Sequence, residues 1–333
     1  MRQKQRDNVV DISRFLGIFF IIWGHTYCPW TIIIYSFHIP LFFILSGIYH
    51  KEKTDFFVFL KKKANRIVIP YLFFSLASYL FYMLWYAVFL GIDKFDFLNI
   101  LNIFAVKNTV SEPLWFFVSL FEVALIYFFL RKSISSNLVL GFCLFIFCLI
   151  GYLLSPVRFP YWINYFHIAS SVSMLLFYGF GNLVLKPYRK QITTNSYAIN
   201  LLILISLFTI LLLASRHIRG IDVNTNRYDM NLVVYLVAAL AGSISVVIFA
   251  WFIAKVPFLS KTCAHIGQNS LGIFGLHFPV FELSRPVSTI ILPKDSTSWG
   301  ILVAVNCLLL SWLATEIIKR IFPKGLGLST NRE

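Results

Sequence analysis

Arg14 and His25 stand eleven residues apart in the first apolar segment of this chain. On a helix turning about 100° per residue, eleven steps return to nearly the same face, roughly 20° apart, after a rise of about 16 Å. The guanidinium is a permanent cation suited to holding an anionic substrate. Histidine, with an unperturbed pKa of about 6.5, suits general-base work on a hydroxyl near neutral pH. An arginine at the centre of a membrane span costs about 2.5–3.5 kcal/mol on insertion scales, so charged groups within spans are functional candidates by default. Asp11 lies one turn below Arg14 and is placed to pair with it at i, i+3. It is not placed to orient His25, because fourteen residues of helix separate the two by about 21 Å. An orienting carboxylate must come from another helix, and Glu282 and Glu122 are both candidates.

The elements that must position these groups are membrane helices. Of the 333 residues, 59% are hydrophobic, 13% are charged and 36 are phenylalanine, which is outside the range of soluble domains. Runs of about twenty apolar residues recur along the chain, too long for barrel strands. The expected fold is an all-α polytopic bundle of about ten spans, near 9–28, 31–49, 67–92, 113–131, 138–155, 165–185, 199–214, 231–253, 266–285 and 299–321. No soluble domain of useful size remains between them, so residues 1–333 read as a single transmembrane domain and the function resides in the bundle.

With the N-terminus inside, 20 lysines and arginines fall in inner segments and 8 in outer ones, Arg14 being within a span. The inner set includes Arg2, Lys4, Arg6, Lys53, Lys190 and Arg332, and the outer set includes Lys107. The positive-inside rule then places both termini in the cytoplasm. Most of the net charge of +15 is therefore topological and does not argue for nucleic acid; inner clusters would meet anionic lipid head groups. Lys61, Lys62, Lys63 and Arg66 follow Phe56, Phe57, Phe59 and Leu60. That pattern predicts an amphipathic segment over about 54–66 at the inner interface, opened by Thr54 as N-cap. It serves as a membrane anchor or as a site for an anionic cytosolic ligand. The first span is not a cleaved signal peptide, because Asp11 and Arg14 interrupt it and no small-residue cleavage site follows.

Depth sorts the polar residues. Asp11, Arg14, Glu316 and Arg66 lie towards the inner face and Glu122 near the middle. His25, His38, His277, Glu282 and His167 lie in the outer half or at its edge. This polarity suits an anionic donor held from the cytosol by Arg14, Arg66 and the Lys61–Lys63 cluster, with its reactive end rising along the first helix to His25. Gly17 and Gly24 open an adjoining face to a ligand or, more commonly, to another helix. His38 and His277 each precede a proline by two residues, so a structural or positioning role at a helix break is expected for both. The five cysteines are scattered and read as packing residues. No His, Asp, Glu or Cys pair has metal-ligand spacing on one helix face, so no metal is expected.

Asp11-Ile12-Ser13-Arg14 and His25 resemble the Arg-x10-His signature of the acyltransferase 3 family of membrane acyltransferases. The similarity continues in Ser36-Phe37-His38-Ile39-Pro40-Leu41-Phe42-Phe43-Ile44-Leu45-Ser46-Gly47, in Arg66-Ile67-Val68-Ile69-Pro70-Tyr71 and in Pro113-Leu114-Trp115-Phe116. It closes with the glycine-serine segment running from Ile266 to His277. The resemblance covers essentially the whole chain and looks most like the branch named for fucose 4-O-acetylases. It implies a ten-helix enzyme that transfers an acyl group, commonly acetyl from acetyl-CoA, to a hydroxyl of a surface polysaccharide or lipid-linked sugar, with no permanently bound cofactor. By the same resemblance His25 is the catalytic histidine, Arg14 contacts the donor, and Arg66, with Lys63 beside it, belongs to the basic set near CoA. Asp11, His38, Trp115, Glu122, His277 and Glu282 are supporting residues. Relatives often carry Trp-Ser-Leu-x-x-Glu, whereas Glu122 here is displaced by two positions from that pattern. No appended hydrolase-like domain is expected, so the bundle would complete the transfer alone. The expected location is the bacterial cytoplasmic membrane. The alternative from another class is a transporter or flippase exporting a glycan, which intramembrane Arg, His and Glu residues would also suit.

Overall fold

The computed structural model describes residues 7–51, 54–106, 111–159 and 161–328, apart from the side chains of residues 161–163 and Lys190. Arg2, Lys4, Arg6, Lys53, Lys107, Arg332, the Lys190 side chain and both chain ends lie outside the described residues.

Each of the ten apolar segments is helical. The first two are α1 (Asn8–Gly24) and α2 (Thr31–Gly47), followed by the short α3 (Phe56–Lys63), α4 (Ile69–Trp85) and α5 (Asn99–Ala105). The middle of the chain forms α6 (Trp115–Ser133), α7 (Asn137–Leu153), α8 (Ile168–Phe180), α9 (Lys186–Thr194) and α10 (Tyr197–Ser215). The last four are α11 (Leu232–Ala254), α12 (Pro257–Gln268), α13 (Ser270–Ile291) and α14 (Thr297–Ile321). Among the described residues, six helical stretches are long and apolar enough to cross a membrane: Phe56–Leu90, Glu112–Ser133, Asn164–Thr194, Tyr197–Ser215, Leu232–Ala254 and Thr297–Ile321. α2 and α7 are apolar but shorter. The protein is a helical membrane protein. A small antiparallel hairpin lies between α10 and α11, β1 (Ile221–Asp222) and β2 (Arg227–Tyr228), with Ile221 opposite Tyr228.

Three boundaries differ from the sequence expectation. The amphipathic segment is capped by Asp55, whose carboxylate accepts from the Phe57 and Val58 N–H groups, not by Thr54. It also runs on into α4 through a π-helical turn at Ala64–Val68, so it is the foot of a long helix and not a separate element. The ninth segment is cut at Asn269, whose side-chain amide donates to the His265 carbonyl and to Glu316. Such side-chain bonds compete with the backbone ladder, which ends α12 and restarts as α13. The sixth segment starts later than expected because Phe166 and His167 take left-handed backbone conformations, φ 53° and 60°, just before Ile168.

α1 is the central helix, packed against α2, α11, α12, α13 and α14. That enclosure buries Asp11, only 4% exposed, while the side chain of its partner Arg14 is half-buried. Both glycines of the first span meet α2 and no open space: a Cβ on Gly17 would lie 2.9 Å from the Phe42 ring, and one on Gly24 2.7 Å from the Tyr35 ring. α12 approaches α1 closely enough that a Cβ on Gly267 would fall on the backbone carbonyl of Asp11. Gly267→Ala must therefore push two backbones apart. A loss of about 1–3 kcal/mol of stability is expected, to be read as a lowered thermal midpoint of the detergent-purified protein, with a wild-type midpoint counting against the contact.

Candidate active site

His25 terminates α1, its backbone N–H reaching the carbonyls of Ile21 and Ile22 at 3.2 Å. The bare Gly24 beside it admits the Tyr35 ring of α2. The Tyr35 hydroxyl lies 3.0 Å from the Gly24 carbonyl oxygen and 3.3 Å from His25 Nδ1. A phenol carries one proton, and a carbonyl can only accept. Tyr35 therefore donates to Gly24, and its oxygen lone pair accepts from His25 Nδ1–H. That donor count assigns the neutral imidazole the tautomer whose Nε2 bears the lone pair, the form a general base needs.

His25 sits among aromatic rings from two other helices. Phe278 of α13 meets it edge-on at 5.2 Å, and the His277 ring is 5.9 Å away. Tyr35 in turn packs at 5.0 Å from the His38 ring. Three histidines from α1, α2 and α13 thus share one neighbourhood. His38 donates from Nδ1 to Ile34 O at 2.9 Å, and His277 from Nδ1 to Phe274 O at 2.6 Å. Each serves a carbonyl of its own helix one turn back. These are not the carbonyls of Ser36 and Gly275, which Pro40 and Pro279 leave without an N–H partner. His277 is fully buried, and its Nε2 has no hydrogen-bond partner among the described residues.

The two carboxylates offered by the sequence as orienters are engaged elsewhere. Glu282 faces Arg285 at 3.7 Å, one turn along α13. Glu122 accepts from the Ser171 hydroxyl of α8 at 2.6 Å, and that hydroxyl also lies 2.8 Å from Ser119 Oγ. Among the described residues, His25 makes its side-chain hydrogen bond to Tyr35. Trp115 opens α6 and packs on His167 at 5.4 Å, apart from the histidine cluster. Sequence reading missed Tyr35. Its spacing of three from His38 puts both on one helix face, but only the packing of α2 on Gly24 points that face at His25.

The other end of α1 is cationic. Arg14 Nη1 is 2.9 Å from Asp11 Oδ1, and its guanidinium lies 5.2 Å from the Tyr49 ring centroid. Next to Tyr49, His50 is buried in the connection from α2 to α3. Lys63 Nζ donates to the Tyr178 hydroxyl at 3.4 Å, and that hydroxyl is 3.2 Å from His50 Nδ1. Lys186 donates to the His50 carbonyl at 3.0 Å. Burial, reinforced by the charges of Lys63, Lys186 and Arg131, pushes the His50 imidazole down to about 3, so it is neutral at working pH. Arg66 is exposed in the π-helical turn, with the chain around Gly327 close by: a Cβ there would lie 2.8 Å from Arg66 Cα. The sequence-predicted cations Arg14, Lys63 and Arg66 thus belong to one end of the bundle, and His50, Tyr178 and Lys186 join them there. Among the described residues, no group of three or more His, Cys, Asp or Glu side chains is placed to hold a metal ion.

A helical bundle with a polar site enclosed by membrane helices defines a membrane protein whose chemistry lies within the bundle. The family model described as "Acyltransferase domain" matches residues 7–316, and the chain belongs to this acyltransferase 3 family. It is a membrane acyltransferase. No curated protein and no solved structure matches the chain.

Proposed function

We propose that the protein is an O-acyltransferase that moves an acetyl group from acetyl-CoA to a hydroxyl of a surface polysaccharide or lipid-linked sugar. The observation that carries this reading is the Tyr35–His25 arrangement, which leaves Nε2 of His25 as an unbonded base at one end of α1 while cations gather at the other. In this reading Nε2 takes the proton of the acceptor hydroxyl as its oxygen attacks the thioester carbonyl. The carbon–sulfur bond then breaks and the imidazolium returns the proton to the departing CoA thiolate. Arg14, Lys63 and Arg66 hold the anionic part of the donor, and the pantetheine arm spans the roughly 16 Å of helix between Arg14 and His25. Asp11, His38 and His277 support this site, Asp11 by pairing Arg14, His277 by packing near His25 and His38 by packing on Tyr35, whereas Trp115 and Glu122 of α6 meet His167 and Ser171 and are assigned no part in it.

The ten helical segments are then ten membrane spans, with both termini in the cytoplasm of a bacterial cell and residues 1–333 acting as one domain in its cytoplasmic membrane. The phenylalanine-rich second span and short loops favour the fucose 4-O-acetylase-like branch. Family membership supports acyl transfer; neither the fold nor the comparisons support the transporter alternative.

The test is release of free CoA from acetyl-CoA by the purified protein, dependent on added membrane glycan. Glycan transport without CoA release would refute the reading. Tyr35→Phe is expected to lower transfer about tenfold, the effect of losing one hydrogen bond that holds the reactive tautomer. The pH–rate profile should shift with it, whereas a merely structural tyrosine would change protein yield and leave the profile in place.

A further inference from the structure

On the His25 side of the bundle a cavity of about 500 Å³ opens between the far end of α4, the connection that follows it, and α13. Lys94, Asp96, Glu112, Glu282 and Arg285 line it, and so many charged groups keep such a space hydrated. Phe278 belongs to the same wall, whereas neither His25 nor His277 is among the described residues that line it. Behind the wall the Phe278 ring meets both imidazoles edge-on, His25 at 5.2 Å and His277 at 5.1 Å. His25 is half-buried, and on the cavity side this ring lies against it. The turn of α13 that carries the ring lacks one backbone hydrogen bond, because Pro279 has no N–H.

We propose that Phe278 is a gate between His25 and the water of this cavity, and that it sets the ratio of acyl transfer to thioester hydrolysis. The gate rests on the O-acyltransferase reading above, since it excludes the other nucleophile that the same base would serve. A base that takes the proton of an acceptor hydroxyl takes one from water as readily. The water oxygen would bond to the thioester carbonyl carbon as its proton passed to Nε2. The carbon–sulfur bond would then break and the imidazolium would return the proton to the CoA thiolate, leaving acetic acid and CoA. Donor is wasted in this way unless water is kept from the base, which is one use of a closed site. An apolar ring held by two edge-on contacts keeps it out until an acceptor arriving through the cavity moves the ring aside. His25 supplies the base, and Phe278 decides which hydroxyl group reaches it.

The experiment follows acetate and CoA released from acetyl-CoA by the detergent-purified protein without glycan, and acetyl transfer once membrane glycan is added. Phe278→Ala is expected to raise acceptor-independent hydrolysis roughly tenfold, as loss of the two edge-on contacts opens the gate. The CoA released per acetyl transferred should rise with it. Phe278→Leu, which keeps the core filled, should raise hydrolysis by a smaller factor, and it decides the matter where Phe278→Ala does not fold. Phe278→Tyr, which keeps the ring, should return hydrolysis towards the wild-type level. The double variant His25→Ala with Phe278→Ala should lose the increase, because the water then has no base. A merely structural phenylalanine would lower transfer and hydrolysis together and leave their ratio in place. Hydrolysis at the wild-type level in folded Phe278→Ala or Phe278→Leu overturns the gate and leaves the acyltransferase reading standing. An increase that persists without His25 also overturns it, since loosened packing would then admit water by another route. Wild-type protein that releases no CoA even with glycan present would instead remove the reading on which the gate rests.

Discussion

His25→Ala is expected to lower acyl transfer by about 10²–10⁴-fold, the usual contribution of a positioned general base. The acceptor hydroxyl has a high pKa and attacks a thioester slowly unless its proton leaves as the new bond forms. His25 offers an unbonded Nε2 for that proton, because Tyr35 engages Nδ1 from the opposite side of the ring. The substitution should do little to the fold. His25 stands at the end of α1, where the cap contacts are backbone contacts that alanine retains. Tyr35 also keeps its bond to the Gly24 carbonyl without the imidazole. The measurement is labelled acetyl transfer in proteoliposomes with the thermal midpoint recorded alongside. Transfer within twofold of wild type, at an unchanged midpoint, would reject His25 as the base.

Arg14→Gln is expected to cost about 1–3 kcal/mol of stability, the usual penalty for leaving a buried acceptor without its donor, since Asp11 is buried while the Arg14 side chain is 28% exposed. Asp11 is 4% exposed on the most enclosed helix of the bundle, with the α12 backbone against its carbonyl. Its carboxylate has Arg14 at 2.9 Å and would be left there without a counter-charge. Low membrane yield in the single variant would therefore say nothing about donor binding. The double variant Asp11→Asn with Arg14→Gln separates the two roles, because a neutral pair leaves no charge stranded. Its midpoint should return close to wild type while KM for acetyl-CoA stays raised by at least tenfold, roughly the 1.4 kcal/mol of one charge-assisted contact. A wild-type KM in the stable double variant would make Arg14 a structural residue only.

Much of this protein is legible in its sequence. The ten apolar segments all prove helical, since a run of about twenty apolar residues has few alternatives once its backbone must satisfy itself. The i, i+3 pairing of Asp11 with Arg14 follows from helical geometry alone and is present at 2.9 Å. Local breaks were harder to read. Asn269 ends a helix because Glu316, on a helix distant in sequence, holds its amide. Asp55 caps the amphipathic helix one residue after the expected Thr54, its carboxylate taking the free N–H groups of the first turn.

The sequence by itself determined the class of the fold, the rows of residues along each helix, and the placing of Arg14 and His25 at different depths on one row of α1. Those follow from periodicity, which acts within a segment. Which residues meet across segments was decided only by the tertiary structure. Helix faces are brought together by shape, through close approaches at Gly24 and Gly267, and such packing leaves no periodic mark in the chain. Packing at Gly24 gave His25 a tyrosine where a carboxylate was expected, and turned Glu282 towards Arg285 and the cavity wall.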